Sequence, residues 1–226
     1  MALIVIAIDG PAGAGKSTVS KRLAAELGYR LLDTGALYRL IALLAKRAGV
    51  DWADEAGLAT IAENVDVQFK LDGERNRVFA GEEDVSEAIR TPEISSGASQ
   101  VSAHPGVRAG LLDLQRKIGE AGGIVAEGRD VGTVVFPDAG AKFFLTASPR
   151  IRAQRRYDEL VAKGMTVDFE ELVSEIETRD QRDSNRAVAP LKQADDAVLV
   201  DCSELSPDEV IATMIQVVRQ REKTGL

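Results

Sequence analysis

Short apolar runs and helical periodicities alternate along this chain from its first residues. Residues 3–8, Leu-Ile-Val-Ile-Ala-Ile, form a short, unbroken and largely β-branched run, the pattern of a strand buried on both faces of a parallel sheet. Val19, Leu23 and Leu27 then recur on one face of a helix that stops at Gly28. A strand at 29–32 leads into a helix reaching about Ala48, with Thr34 as its expected cap and Leu37, Ile41, Leu44 and Ala48 facing the core. Between about 63 and 103 the pattern changes. Val65-Asp66-Val67-Gln68-Phe69 alternates with period two, Asp72-Gly73 signals a hairpin turn, and Arg77-Val78-Phe79 resumes the strand. Helices are expected next at 92–102 and 105–119, strands at 123–127, 142–146 and 197–201, and helices at 149–162, 169–185 and, after a Ser206 cap, 207–221. The whole predicts an α/β fold, a parallel sheet with helices on both faces and a small antiparallel β/α insertion.

Composition narrows the setting. A length of 226 residues suits one α/β domain able to bury a large core, and no repeat, low-complexity tract or long linker divides it. No apolar stretch approaches the ~20 residues that span a bilayer. The apolar N-terminus lacks a basic leader and is not read as a signal peptide. Cys202 is the only cysteine, which excludes an internal disulfide and a cysteine zinc cluster and fits a reducing cytoplasm. The single histidine, His104, precedes Pro105 and reads as a loop or helix-cap residue rather than a metal ligand. A net charge of −8 argues against binding nucleic-acid polymers or anionic membranes. Any phosphate chemistry must therefore concentrate its cations locally.

The chemistry enters at the end of the first strand. Residues 10–17 read Gly-Pro-Ala-Gly-Ala-Gly-Lys-Ser, a complete G-x-x-x-x-G-K-S loop between strand and helix. Glycines let backbone N–H groups curl around phosphate oxygens, and the helix N-terminus adds partial positive charge. Lys16 would reach the β- and γ-phosphates and the Ser17 hydroxyl would bind Mg²⁺. Arg39 lies in the first turn of its helix, where a cation costs ~0.3–1 kcal/mol unless an anion is near, so it is read as a phosphate contact. Arg152, Arg155 and Arg156 share one helical face, and Arg179, Arg182, Asp183 and Arg186 share another. Each group alone would be a solvated face of ion pairs worth ~0.3–0.5 kcal/mol apiece. On consecutive helices joined around Lys163-Gly164, they read together as a lid that folds arginines over transferring phosphates.

Five segments, in order, resemble the bacterial cytidylate kinase family of nucleoside monophosphate kinases. They are residues 8–17 (IDGPAGAGKS), 32–39 (LDTGALYR), 98–102 (ASQVS), 127–138 (EGRDVGTVVFPD) and 179–191 (RDQRDSNRAVAPL). The resemblance implies a P-loop kinase with one domain over 1–226: a core of 1–62, 104–148 and 187–226, a substrate-binding insertion at about 63–103, and a helical lid at about 149–186. It implies ATP contacts at Gly10, Pro11, Ala12, Gly13, Ala14, Gly15, Lys16, Ser17 and Thr18. Thr34, Tyr38, Arg39, Arg129 and Arg186 are implied as acceptor-phosphate ligands, Ser99, Arg108 and Asp130 as readers of the cytosine edge, and Arg179 and Asp183 as ribose contacts. Lys16, Arg129, Arg155, Arg156 and Arg186 are the candidate catalytic cations. Thr34 stands where some relatives have serine and Glu127 where others have aspartate, and each keeps the chemistry of its position.

The implied reaction passes the γ-phosphoryl group of ATP to CMP or dCMP, with Mg²⁺, in a monomer. The acceptor oxygen is already anionic near neutral pH, so no general base is needed, and charge neutralisation and in-line positioning supply the rate. A kinase for another nucleoside monophosphate or for a metabolite hydroxyl stays open, as do a catalytically dead nucleotide-binding module and a GTP-dependent switch. Asp54-Glu-Ala-Gly57 formally matches the D-x-x-G pattern of such switches, without an N-K-x-D guanine reader. Whether Glu127 or Asp130 would support Mg²⁺ through water, and which residues hold adenine, are also open at this point.

Overall fold

The computed structural model describes residues 3–72 and 75–224. In chain order its elements are β1 (Val5–Asp9), α1 (Lys16–Leu27), β2 (Arg30–Asp33), α2 (Thr34–Ala48), α3 (Glu55–Glu63), β3 (Val67–Asp72), β4 (Arg75–Ala80), β5 (Glu83–Asp84), α4 (Pro92–Val101), α5 (Pro105–Gly119), β6 (Ile124–Gly128), β7 (Ala141–Thr146), α6 (Pro149–Ala162), α7 (Phe169–Asn185), β8 (Val198–Asp201) and α8 (Pro207–Thr224). A 3₁₀ turn at Ala88–Arg90 precedes α4, and a π-helical turn at Val131–Val135 follows β6. The chain packs as two compact units, one ending at Arg30 and resuming at Gly122, the other Leu31–Ala121.

In the first unit β6, β1, β7 and β8 lie side by side and parallel, in the order β6-β1-β7-β8. The predicted α/β fold with a parallel sheet is therefore present. Ile6, Ala7 and Ile8 of β1 are fully buried, as expected of a strand with parallel neighbours on both sides. Helix α1 packs on β6 and α8 on β7, and Gly28 ends α1 in a left-handed conformation (φ 67°). Helices α6 and α7 pack through Ala153, Leu160, Leu172 and Val173, with the Tyr157 and Phe169 rings edge to face.

In the second unit β3, β4 and β5 form the antiparallel element that the period-two pattern predicts. Of the expected Asp72-Gly73 turn, Gly73 lies outside the described residues. Two local expectations are corrected. The cap of α2 is Asp33, whose carboxylate accepts from Ala36 N at 2.9 Å, and Thr34 is already the first helical residue. Helix α3, absent from the sequence reading, is capped by Asp54, which accepts from Gly57 N. The D-x-x-G match is thus a helix cap. His104 sits at the N-cap position of α5, its Nε2 2.8 Å from the Trp52 carbonyl oxygen.

Candidate active site

The register of the parallel strands builds the first cluster. Pairing of β1 with β6 sets Ile8 beside Glu127 and Asp9 beside Gly128, so both strands deliver their C-terminal ends to one edge. Ligands of open α/β sheets bind outside such ends. Gly10 then turns the chain at φ 147°, and a Cβ there would lie 2.0 Å from the Leu145 carbonyl oxygen, so no other residue fits between the loop and β7. Gly15 occupies the N-cap of α1 and brings no side chain to its first N–H groups. Those groups are the donors that a phosphate-binding loop offers.

Lys16 is buried, and its Nζ donates to the carbonyl oxygens of Gly10 (2.8 Å) and Pro11 (2.7 Å). Burial holds its pKa well below the ordinary lysine value, the Arg129 and Arg179 charges push the same way, and Glu127 and Asp9 oppose them. Ser17, exposed at the loop's end, donates from Oγ to Glu127 Oε2 at 3.0 Å. Thr18 is exposed on the first turn of α1. Asp9, for which the sequence suggested no role, accepts from the backbone N–H of Val131 at Oδ1 and of Gly132 at Oδ2, both at 2.7 Å. Burial drives its pKa up to about 6, the two N–H groups and Lys16 opposing and Asp130 assisting.

The arginines of this unit divide into two sets. Arg129 Nε donates to Asp183 Oδ2 at 3.0 Å, and Arg186 Nη2 to Asp130 Oδ1 at 3.3 Å. Helix α7 therefore carries Asp183, and Arg186 at its C-cap, to the end of β6. Arg155 lies alongside the loop, donating to the carbonyls of Cys202 (2.6 Å) and Ala14 (3.4 Å). Arg152, Arg155 and Arg156 lie at i, i+3 and i+4 of the one helix α6, but their partners differ. Arg152 is buried and turned toward the loop, whereas Arg156 pairs with Glu159 on its own helix.

The second unit gathers the other acceptor-side candidates. Asp33 holds Arg39 Nη2 at 2.7 Å. Because α2 begins at Thr34, Arg39 lies in its second turn and not in the first turn expected from the sequence, and its anion is this carboxylate. Burial pushes the Asp33 pKa up, but Arg39, the Ala36 N–H and Arg90 outweigh it and hold the carboxyl below its usual range. Thr34 and Tyr38 are buried on α2, Ser99 on α4 and Arg108 on α5. The Arg108 guanidinium stands over the Tyr38 ring, 5.5 Å from its centre, and donates to the Ser102 carbonyl, while Ser102 Oγ donates to the Ser99 carbonyl. The geometry thus joins Arg129 with Asp183 and Asp130 with Arg186 in the first unit, and Tyr38, Arg108 and Ser99 (through Ser102) in the second.

A phosphate-binding loop on a parallel sheet, with arginines and carboxylates at the same strand ends, defines the class of P-loop phosphotransferases. The chain belongs to the cytidylate kinase family, whose model matches residues 6–220. It is 53% identical over 220 residues to a curated cytidylate kinase of Syntrophotalea carbinolica, covering 97% of this chain and 94% of that protein. It is 54% identical over 226 residues to one of Pseudomonas aeruginosa, covering 99% and 97%. Among solved structures, an uncharacterized protein from Eubacterium ventriosum has a similar fold, with TM-score 0.54 at 13% identity, covering 96% of this chain and 98% of that one.

Proposed function

We propose that the protein transfers the γ-phosphoryl group of ATP to the phosphate of CMP or dCMP, giving ADP and CDP or dCDP. The observation that carries the reading is the pairing, at one edge of one sheet, of an intact phosphate loop with Arg129 and Arg186, each steered by a carboxylate. Guanidinium groups at the acceptor position suit an incoming phosphate, which needs its charge neutralised. A hydroxyl acceptor would need a base instead.

In this reading the loop N–H groups and Lys16 hold the ATP phosphates, with phosphate oxygens replacing the Gly10 and Pro11 carbonyls at the ammonium. An acceptor oxygen of CMP attacks the γ-phosphorus in line as the bond to the β–γ bridging oxygen breaks, and ADP leaves with that electron pair. Arg129 and Arg186, joined by Thr34, Tyr38 and Arg39, hold the acceptor phosphate. Ser99, Arg108 and Asp130 read cytosine, Arg179 and Asp183 hold the ribose, and Arg155 and Arg156 answer charge on the transferring group. Residues 63–103 act as the insertion that closes on the acceptor and 149–186 as the lid, which excludes water from the reaction. The enzyme acts as a monomer in the cytoplasm. Among the described residues no helix is long and apolar enough to cross a membrane.

Mg²⁺ fits the residues present. It favours hard oxygen donors and takes one or two protein ligands beside phosphates and waters. The Ser17 hydroxyl with Glu127 at 3.0 Å offers such oxygens, whereas both Asp9 oxygens are engaged by backbone N–H and Asp130 by Arg186. Ser17 directly and Glu127 through water would hold the ion, which when bound neutralises phosphate charge. An assay of ADP release with CMP, dCMP, UMP and AMP as acceptors tests the reading. CMP and dCMP should exceed the others by at least about tenfold, and Lys16→Ala should cost at least about 100-fold with the fold intact, the scale of losing one charge-stabilising donor. Equal rates with all four, or near-normal turnover in that variant, would contradict it.

A further inference from the structure

Arg152 is the most deeply buried arginine of the first unit whose charge none of these roles engages. Its side chain is 3% exposed, yet it makes four hydrogen bonds. Nε donates to the Ala147 carbonyl at the end of β7 (2.8 Å), and Nη1 donates to the Ala12 carbonyl inside the phosphate loop (3.0 Å). Nη1 and Nη2 together grip both oxygens of Asp180 on α7. The contact with the loop is close in another way, because a Cβ on Gly13 would stand 3.1 Å from the Arg152 Cβ. Asp180 lies one residue after Arg179 and three before Asp183, on the helix whose C-cap is Arg186. A bidentate guanidinium–carboxylate pair fixes orientation as well as distance. Loop and helix are therefore joined by one rigid, planar contact.

We propose that the Arg152–Asp180 pair is a positioning joint, through which the state of the phosphate loop sets the placement of α7 and so of Asp183 and Arg186. Nucleotide on the loop moves or stiffens the Ala12 carbonyl. Arg152 passes that constraint to Asp180, and the acceptor-side groups three and six residues further on are brought into register. The joint touches neither reacting phosphate. Its effect is a coupling between the two binding sites, and such coupling is reciprocal. The inference rests on the proposed ATP and CMP sites.

Calorimetric titration of CMP, with and without a non-hydrolysable ATP analogue and Mg²⁺, tests it. The wild-type protein should bind CMP several-fold more tightly with the analogue present. Asp180→Asn should lose at least threefold of that enhancement while its affinity for CMP alone stays within twofold, and Asp180→Glu should recover part of it. Arg152→Lys, which keeps the charge but cannot make the planar double contact, should behave as Asp180→Asn does and serves in its place if that variant does not fold. An unchanged enhancement in these variants, an equal loss of CMP affinity with and without the analogue, or no enhancement in the wild type would each overturn the joint. Failure of the wild type to bind CMP under either condition would instead overturn the proposed function, so the two failures are distinct.

Discussion

Asp9 gives both carboxylate oxygens to the backbone N–H groups of Val131 and Gly132, and so ties the turn after Asp130 to the strand that feeds the phosphate loop. These partners stand 122 and 123 positions away in sequence and are backbone groups. No local pattern around residue 9 could mark them, whereas Lys16 and Ser17 were legible because the loop's chemistry is written in contiguous residues. Burial raises the Asp9 pKa from an ordinary value of 3.8 to about 6. Between those values the folded chain keeps a proton that the unfolded chain has lost. The contribution of Asp9 to stability is therefore highest below about pH 4, falls as pH rises toward 6, and is level above that. At about 1.4 kcal/mol per pH unit the fall amounts to about 3 kcal/mol. In Asp9→Asn, which does not titrate, the unfolding free energy relative to wild type should rise by that order between pH 4 and 7. Urea denaturation across this range reads it, and a flat difference would contradict the burial argument. At every pH the variant also leaves one of the two N–H groups without its acceptor, a cost of about 1–3 kcal/mol.

At the scale of elements, legibility follows how much local signal an element carries. Strand β1, the loop and α1 were readable because an unbroken apolar run, a glycine motif and a glycine stop fall in succession. The α6–α7 pair was readable from its length and periodicity. Helix α3 was not, since its nine residues bury only Leu58 and Ala62 fully and place Gly57 in the first turn. What defines it is a cap, Asp54 Oδ1 accepting from Gly57 N at 3.1 Å, together with its packing on α5. Asp54→Ala should lower the unfolding free energy by about 1 kcal/mol, the usual worth of an N-cap side chain. A shift in the urea midpoint without a change of slope checks this, and an unaltered midpoint would mean that α3 is held by tertiary packing alone. The Asp33 cap teaches a related lesson. Asp and Thr are adjacent there and both cap helices, and sequence cannot choose between them; in the fold Asp33 caps the helix and also holds Arg39.

For the molecule as a whole, a net charge of −8 coexists with the proposed phosphate site because two of its cations in the first unit, Arg129 and Arg186, are each steered by a carboxylate. Composition predicted the concentration of charge but could not say which arginines carry it. Arg152, Arg155 and Arg156 look equivalent along the helix. In the fold one is buried against the loop, one lies beside it, and one pairs with its own helix. The central claim is that this arrangement passes a phosphoryl group from one nucleotide's phosphate to another's. Phosphorus NMR of a mixture of ATP, CMP, Mg²⁺ and the protein reads that transfer directly. The account predicts that CDP β-phosphorus and ADP signals grow together, one for one, as the ATP γ-signal falls. Loss of the γ-signal into inorganic phosphate without CDP would contradict it.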